Sequence, residues 1–258
     1  MSDRPRLPAR AMVFAAGLGG RMRPLTDAAA KPLLRVDGRA ILDHVLDRLD
    51  RAGVPEVVVN AFWQADQVEA ALRRRAASGI GPHVVVRREA ALLETGGSAA
   101  AALRDGALGP APFFLLNGDS LWLNGPVPAL HRLAAVFDPA RMDALLLLAR
   151  ASLAVGEVGR GDFVMDAAGR LRRPAPGAVT PYIFTGVQIA APSLFAGAPA
   201  GAFSLNGLWD AAIGRGRLYG IVHDSVWCHL SRPQDLPAAT AALRVARDPD
   251  GVDQDVIR

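Results

Sequence analysis

Short apolar runs recur through the first 150 residues, at 12–15, 56–60, 83–87, 112–116 and 144–149, each of strand length. Between the first two, Ile41, Leu42, Val45, Leu46 and Leu49 return at helical spacing, and Gly53 closes the segment. Residues 64–75 and 98–103 read as two further helices. Strand and helix alternating in this way predict an α/β fold, a parallel sheet with helices on both faces. The second half has a different rhythm. Residues 163–165, a turn over 166–169 and Leu171 predict a hairpin laid over the ligand side. A strand at 182–190, a helix at 205–213, strands at 218–222 and 226–230 and a closing helix at 233–245 complete the expectation. No linker separates the halves. We therefore expect one domain over 11–247 with a lid-like β insertion, a flexible extension over 1–10 and a polar tail over 248–258 that frays.

The first strand runs into Ala16-Gly17-Leu18-Gly19-Gly20-Arg21-Met22-Arg23-Pro24-Leu25-Thr26, with Lys31-Pro32 shortly after. Glycines let the backbone turn tightly and approach a ligand with no Cβ in the way. Successive N–H groups in such a turn suit phosphate oxygens, and Arg21 and Lys31 add positive charge beside them. Pro32 is expected to hold Lys31 extended. A P-loop is excluded, because Gly20-Arg21-Met22 stands where Gly-Lys-Ser/Thr is required. A dinucleotide fingerprint is excluded by the bulk of Met22. Asp119, in Asn117-Gly118-Asp119 at the end of the fourth apolar run, is the candidate ligand for a hard divalent cation.

Composition narrows this little. The 258 residues are 51% apolar and 21% charged, with a formal net charge of +4 spread along the chain, which gives nucleic-acid binding little support. The one cysteine, Cys228, has no partner for an internal disulfide and reads as a small core residue. No signal-like start and no 18-residue apolar run is present, so we expect a cytoplasmic protein without a membrane partner.

The stretch from Gly17 to Lys31-Pro32 resembles the signature of the sugar-phosphate nucleotidyltransferases, G-x-G-x-R-M-x-P-L-T followed by K-P. Leu93-Glu94-Thr95-Gly96-Gly97, Leu116-Asn117-Gly118-Asp119, Gly159-Arg160-Gly161-Asp162-Phe163 and Phe184-Thr185-Gly186-Val187 resemble the N-acetylmuramate-1-phosphate uridylyltransferase branch, with mannose-1-phosphate guanylyltransferases next. The resemblance implies a Rossmann-like three-layer α/β/α domain with a mixed, mostly parallel sheet. It also implies UTP and a sugar 1-phosphate as substrates and Mg²⁺ (or Mn²⁺) as cofactor. On this reading Arg21 and Lys31 are catalytic, and Ala15, Ala16, Gly17, Gly19, Gly20, Gly96, Gly97 and Asn117 hold the nucleotide. Thr95-Gly96-Gly97 reads equally well as a helix-start turn. Glu94, Asn117, Gly161, Asp162, Thr185 and Gly186 are expected at the sugar phosphate, and Arg160 at a lactyl carboxylate. Asp119 is the implied metal ligand. The family pattern W-x-D-x-G-T places a second metal-binding Asp where this chain has His229, followed by Ser231-Arg232. His229 either ligates through a neutral nitrogen or contacts metal-bound water or phosphate. That departure keeps open a nucleotide-sugar-binding protein without turnover.

Overall fold

In the computed structural model, which describes residues 7–247, the apolar runs become one seven-stranded sheet. Its strands are β1 (Arg10–Phe14), β2 (Glu56–Ala61), β3 (His83–Arg88), β4 (Phe113–Asn117), β5 (Ala144–Arg150), β6 (Tyr182–Ala190) and β7 (Leu218–Val222). They lie in the order β7-β5-β6-β4-β1-β2-β3. Only β6 runs against its neighbours, β4 and β5; the other pairings are parallel.

Side chains alternate across each strand, so a continuous apolar run feeds two cores at once. Val13, Phe114, Leu116, Leu145 and Leu147 enter one core with helices α1 (Ile41–Ala52), α2 (Ala65–Ala77) and α4 (Ala129–Val136). Met12, Phe113, Leu115, Leu146 and Leu148 enter the other with α3 (Glu94–Arg104) and α5 (Leu205–Gly214). The expected three layers follow. A third cluster joins Met22, Val36 and Leu121 to Cys228, Leu230 and Leu243 under the closing helix α6 (Asp235–Arg247). Cys228 is buried there, and burial pushes its thiol up to about 11, which removes it as a nucleophile at neutral pH.

Several expectations need correction. Arg10, assigned to the flexible extension, opens β1 and pairs with Glu56 at 2.8 Å. The tail over 248–258 lies outside the described residues. Helix α3 starts four residues before the expected position, at Glu94, because Gly96 and Gly97 fit a tertiary contact that overrides their weak helix propensity. A Cβ on Gly96 would lie 2.4 Å from the Phe203 ring, and one on Gly97 2.2 Å from the Gly201 carbonyl oxygen. Lys31 is not extended: it opens a short 3₁₀ turn, Lys31–Leu33, in which Pro32 occupies an early position that needs no N–H donor. The β insertion is a two-stranded ribbon, Val164–Met165 with Leu171–Arg172. It docks along β7, where Gly220 N donates to Gly169 O at 2.9 Å, and so covers that sheet edge.

Candidate active site

The chain leaves β1 toward β2 on one side, and β4 flanks it on the other. The strand order therefore reverses at β1, and the crevice beyond the carboxyl ends of β1 and β4 is where a doubly wound sheet offers a ligand site. Two cavities open there. The larger, about 490 Å³, is lined by Ala16, Gly17, Gly19, Gly20, Arg21 and Met22 after β1, and by Asn60 of β2. Leu92, Glu94, Thr95 and Ser98 at the head of α3 form another wall. The smaller, about 110 Å³, is lined by Ser120, Phe184, Thr185, Gly186, Trp227, Cys228, His229 and Leu230. Arg21, Lys31, Asn117 and Asp119 line both.

The glycine loop owes its shape to specific contacts. Gly19 is left-handed (φ 63°), and its carbonyl accepts from Thr26 Oγ1 at 2.9 Å and from Met22 N at 2.8 Å. A Cβ at Gly19 would lie 2.8 Å from Thr26 Cγ2, whereas one at Gly17 or Gly20 would meet nothing within 4 Å. Gly19 thus makes the turn, and Gly17 and Gly20 leave open the space a ligand would fill. Ala15 N donates to Asn60 Oδ1 at 2.7 Å. Its amide is therefore used within the protein, and Ala15 does not appear on the cavity wall.

At the junction Lys31 Nζ is ion-paired with Asp119 Oδ2. Gly118 makes this possible by turning tightly against β1, its N–H donating to Phe14 O at 2.8 Å, where a Cβ would lie 2.6 Å from that oxygen. Among the described residues Arg21 pairs with no carboxylate, so its guanidinium is an exposed cation shared by the two cavities. His229 follows the short strand Trp227–Cys228, which pairs with Leu121–Trp122 immediately beyond Asp119. Burial holds the His229 imidazole below its usual value, and the charges of Arg21 and Lys31 act in the same direction against Asp235 and Asp119. Asp235 shapes the following turn by accepting from Ser231 N and Arg232 N, both at 2.7 Å.

The remaining expected residues divide. Gly186 (φ 82°) faces the smaller cavity, where a Cβ would lie 2.2 Å from Ser120 Oγ and 2.8 Å from Asn117 Nδ2. Thr185 lies beside it, with its hydroxyl bonded to Leu147 O at 2.9 Å and its carbonyl accepting from Ser120 Oγ and Trp227 Nε1. Glu94, expected at the sugar phosphate, lies on the wall of the larger cavity with a left-handed backbone (φ 57°). Gly96 and Gly97, expected as donors to a base, both donate to Phe203 O, at 2.9 and 3.0 Å, and line neither cavity. Asp162 accepts from Phe184 N at 2.8 Å, and a Cβ on Gly161 would lie 2.3 Å from Thr180 O. Both brace the ribbon against β6 and line neither cavity, and the Arg160 guanidinium bonds Gly177 O. Asn60, Ser98, Ser120 and Asp235 were missed. Asn60 alone left a signal, as a polar residue ending the apolar run Val57-Val58-Val59.

A family profile for the MobA-like NTP transferase domain matches residues 11–157. The chain belongs to this nucleotidyltransferase family. It is 42% identical over 247 residues to the N-acetylmuramate alpha-1-phosphate uridylyltransferase of Caulobacter vibrioides, covering 95% of this chain and all of that one. It is 34% identical to the enzyme of the same name from Neisseria meningitidis, over 89% of this chain and 99% of that one. The inositol-1-phosphate CTP transferase of T. maritima has the same fold, with a TM-score of 0.71 over 96% of this chain and 98% of that chain, at 20% identity. Among the described residues no helix is long and apolar enough to cross a membrane.

Proposed function

We propose that this nucleotidyltransferase moves the uridylyl group of UTP to a hexosamine 1-phosphate, N-acetylmuramate 1-phosphate foremost, releasing pyrophosphate. The observation that carries the reading is the junction: two cavities of different size share Arg21, Lys31, Asn117 and Asp119. A reaction that joins two phosphates needs such a place, where one α-phosphorus is reached from both sides. Likeness over nearly the whole chain to two uridylyltransferases for this sugar phosphate supports the choice of substrates.

In this scheme the triphosphate lies along the open faces of Gly17 and Gly20, with the base toward Asn60 and Ser98. The sugar phosphate enters beside Thr185, Gly186 and Ser120. Its oxygen attacks the α-phosphorus in line and pyrophosphate leaves. The attacking phosphate is already ionised, so no protein base is required. Charge grows on the equatorial and leaving oxygens, where the fork of Arg21 and the ammonium of Lys31 stabilise it more than in the ground state. A divalent cation held by Asp119 supplies further neutralisation of the triphosphate.

The donor set fits such an ion. Among the described residues no three His, Cys, Asp or Glu side chains converge on a metal position. One carboxylate with phosphate oxygens and water is an ordinary setting for Mg²⁺. His229, kept neutral by burial, suits Mn²⁺ better. With such an ion bound, Asp119 would be one of its ligands and the Lys31 ammonium would be available to the phosphates. We place the reaction in the cytoplasm, where nucleoside triphosphates are available.

The test is a matrix of the four nucleoside triphosphates against N-acetylmuramate, N-acetylglucosamine and mannose 1-phosphates, scored by pyrophosphate release with Mg²⁺ and Mn²⁺. UTP with N-acetylmuramate 1-phosphate is expected to lead. A lead for GTP with mannose 1-phosphate would transfer the chain to the guanylyl branch, and tight UTP binding with no pyrophosphate from any pair would make it a non-catalytic binder.

A further inference from the structure

The larger cavity has a polar floor whose donors are bonded within the protein. Asn60 and Ser98 line it and are almost fully buried (2% and 1% exposed). Behind them is a buried carboxylate, Glu89 (6% exposed), just past the end of β3. The orientation of the Asn60 amide follows from one fixed donor, and the Ser98 bond from the carboxylate that accepts it. The backbone N–H of Ala15 can only donate, and it points at Asn60 at 2.7 Å, so that atom of the side-chain amide is Oδ1. Nδ2 therefore faces Glu89 Oε1 at 2.9 Å and Ser98 Oγ at 3.1 Å and donates toward both. Ser98 accepts from Asn60 and gives its single hydrogen to Glu89 Oε1 at 2.6 Å. Leu93 N–H approaches the other carboxylate oxygen at 3.4 Å, so each partner of Glu89 is a donor. The Asn60 amide nitrogen and the Ser98 hydroxyl thus donate within the group, and what Asn60 Oδ1 and Ser98 Oγ offer a ligand is lone pairs.

Neighbouring strands lie about 4.8 Å apart, so the end of β2 is about 10 Å from that of β4, two positions along the sheet. That separation suits a base at Asn60 and an α-phosphorus near Asp119.

We infer that Glu89, through Asn60 and Ser98, makes the base end of the cleft an acceptor-only floor that selects bases bearing a ring N–H. This inference rests on the nucleotidyltransferase reading of the cleft and deepens it. Uracil and guanine carry such a hydrogen between or beside their carbonyl groups. Cytosine and adenine present a ring lone pair at the matching position, which would face the floor's own lone pairs, and could meet the floor only by shifting to use the amino group beside it. Glu89 is a positioning residue here, and Ser98 is the side chain that meets the base.

Binding titrations of the full chain with UTP, CTP, GTP and ATP, without sugar phosphate, test this independently of turnover. The wild type is expected to bind UTP over CTP, or GTP over ATP, by at least about tenfold. Glu89→Gln can turn its amide hydrogens toward Ser98 and release the hydroxyl proton into the cavity, and Ser98→Ala removes the acceptor. Each should compress the keto-to-amino ratio by about tenfold, mainly by weakening the keto nucleotide in Ser98→Ala and by strengthening the amino nucleotide in Glu89→Gln. Ser98→Ala leaves the Asn60–Glu89 bond in place, so it keeps the test decisive if Glu89→Gln melts. A wild type indifferent to keto and amino bases, or variants that weaken all four nucleotides by one factor, overturns the inference. If GTP leads UTP, the uridylyl reading falls and the floor's selectivity stands. If UTP leads but its ratio to CTP survives both substitutions, the floor fails and the uridylyl reading stands.

Discussion

The larger cavity owes much of its wall to the backbone of one continuous segment, whereas the smaller is assembled from side chains brought together by long-range pairing. Residues 16–22 supply the glycine turn, and its form depends on near neighbours, Thr26 above all. Around the smaller cavity, Ser120, Thr185 and Trp227 come from three separate stretches and are fastened by bonds that converge on the Thr185 carbonyl. The division matches the chemistry proposed for each. Triphosphates are shared by all nucleotides and can be cradled by main chain, while distinguishing one sugar from another needs side chains that can vary.

The sharpest break in this comparison is at the junction, which belongs to both cavities. Asp119→Asn and Lys31→Met should each lower kcat by roughly 10²–10³, the usual scale for losing one group that stabilises transition-state charge. Because the two side chains already pair with each other, the double variant should lose less than the product of the single losses. Steady-state pyrophosphate release measures all three. A Lys31→Met enzyme with unchanged kcat would reduce the ion pair to a structural link.

Alanine at single glycines separates the cavities. Gly20→Ala projects a methyl group into open ligand space and should raise the nucleotide KM with little change in thermal stability. Gly186→Ala forces a left-handed backbone on alanine and drives its Cβ against Ser120 and Asn117, so it should lower folding stability and raise the sugar-phosphate KM more than the nucleotide KM. Gly19→Ala combines a left-handed backbone with contact on Thr26 and should cost about 1–3 kcal/mol of folding stability, read by denaturant titration. Equal effects of Gly20→Ala and Gly186→Ala on both KM values would dissolve the two-cavity assignment.

The same contrast explains what could be read from the sequence. The sheet strands and the glycine loop were legible because their signals are local: an apolar run, a glycine spacing, a cation at a fixed offset. Asp119 was legible because it closes a strand. Glu89 and Ser98 were not, and Asn60 showed only as a polar residue ending an apolar run, since residues 29 and 38 positions from Asn60 meet it only after β2, β3 and α3 have assembled. Gly96 and Gly97 read equally well as donors to a base or as a helix start, and the structure has the helix start. Their lack of side chains serves a loop more than 100 residues away, and no local pattern distinguishes close packing from room for a ligand. Asp162 was read as a hydroxyl binder, and the bond of its Oδ2 to the Phe184 amide, 22 residues on, has no local signal in the sequence.

His229 tests whether the junction differs from its usual family form. Its imidazole is held below the ordinary value by burial and by the two cations, so it is neutral at pH 7 and takes a proton only below the usual imidazole range. If it ligates, Mn²⁺ binding should weaken more steeply on acidification below about pH 6 in the wild type than in His229→Asp, since an imidazolium cannot bind a cation. Isothermal titration of Mn²⁺ with UTP present at several pH values measures this, and parallel curves place His229 outside the coordination shell.

The smallest effect concerns the scaffold beneath both cavities. His44 and His223 are buried, and burial lowers both imidazoles despite the bonds of their Nε2 atoms with Val36 O (2.9 Å) and Val226 O (3.3 Å). In the unfolded chain each ring returns to about 6.5. Between that value and the lower folded one, the unfolded state therefore binds more protons, and stability rises with pH. The contribution is complete above about pH 6.5 and is lost as pH falls through the folded values, with a slope of at most about 1.4 kcal/mol per pH unit for each ring. Denaturant midpoints at about pH 7.5 and 5.5 should therefore differ more in the wild type than in His44→Gln or His223→Gln. Both variants keep the cavity linings intact, so nucleotide KM at neutral pH should hold while the acid sensitivity shrinks. An undiminished acid loss in both would move its origin to another imidazole lowered by burial, His229 being the next to replace.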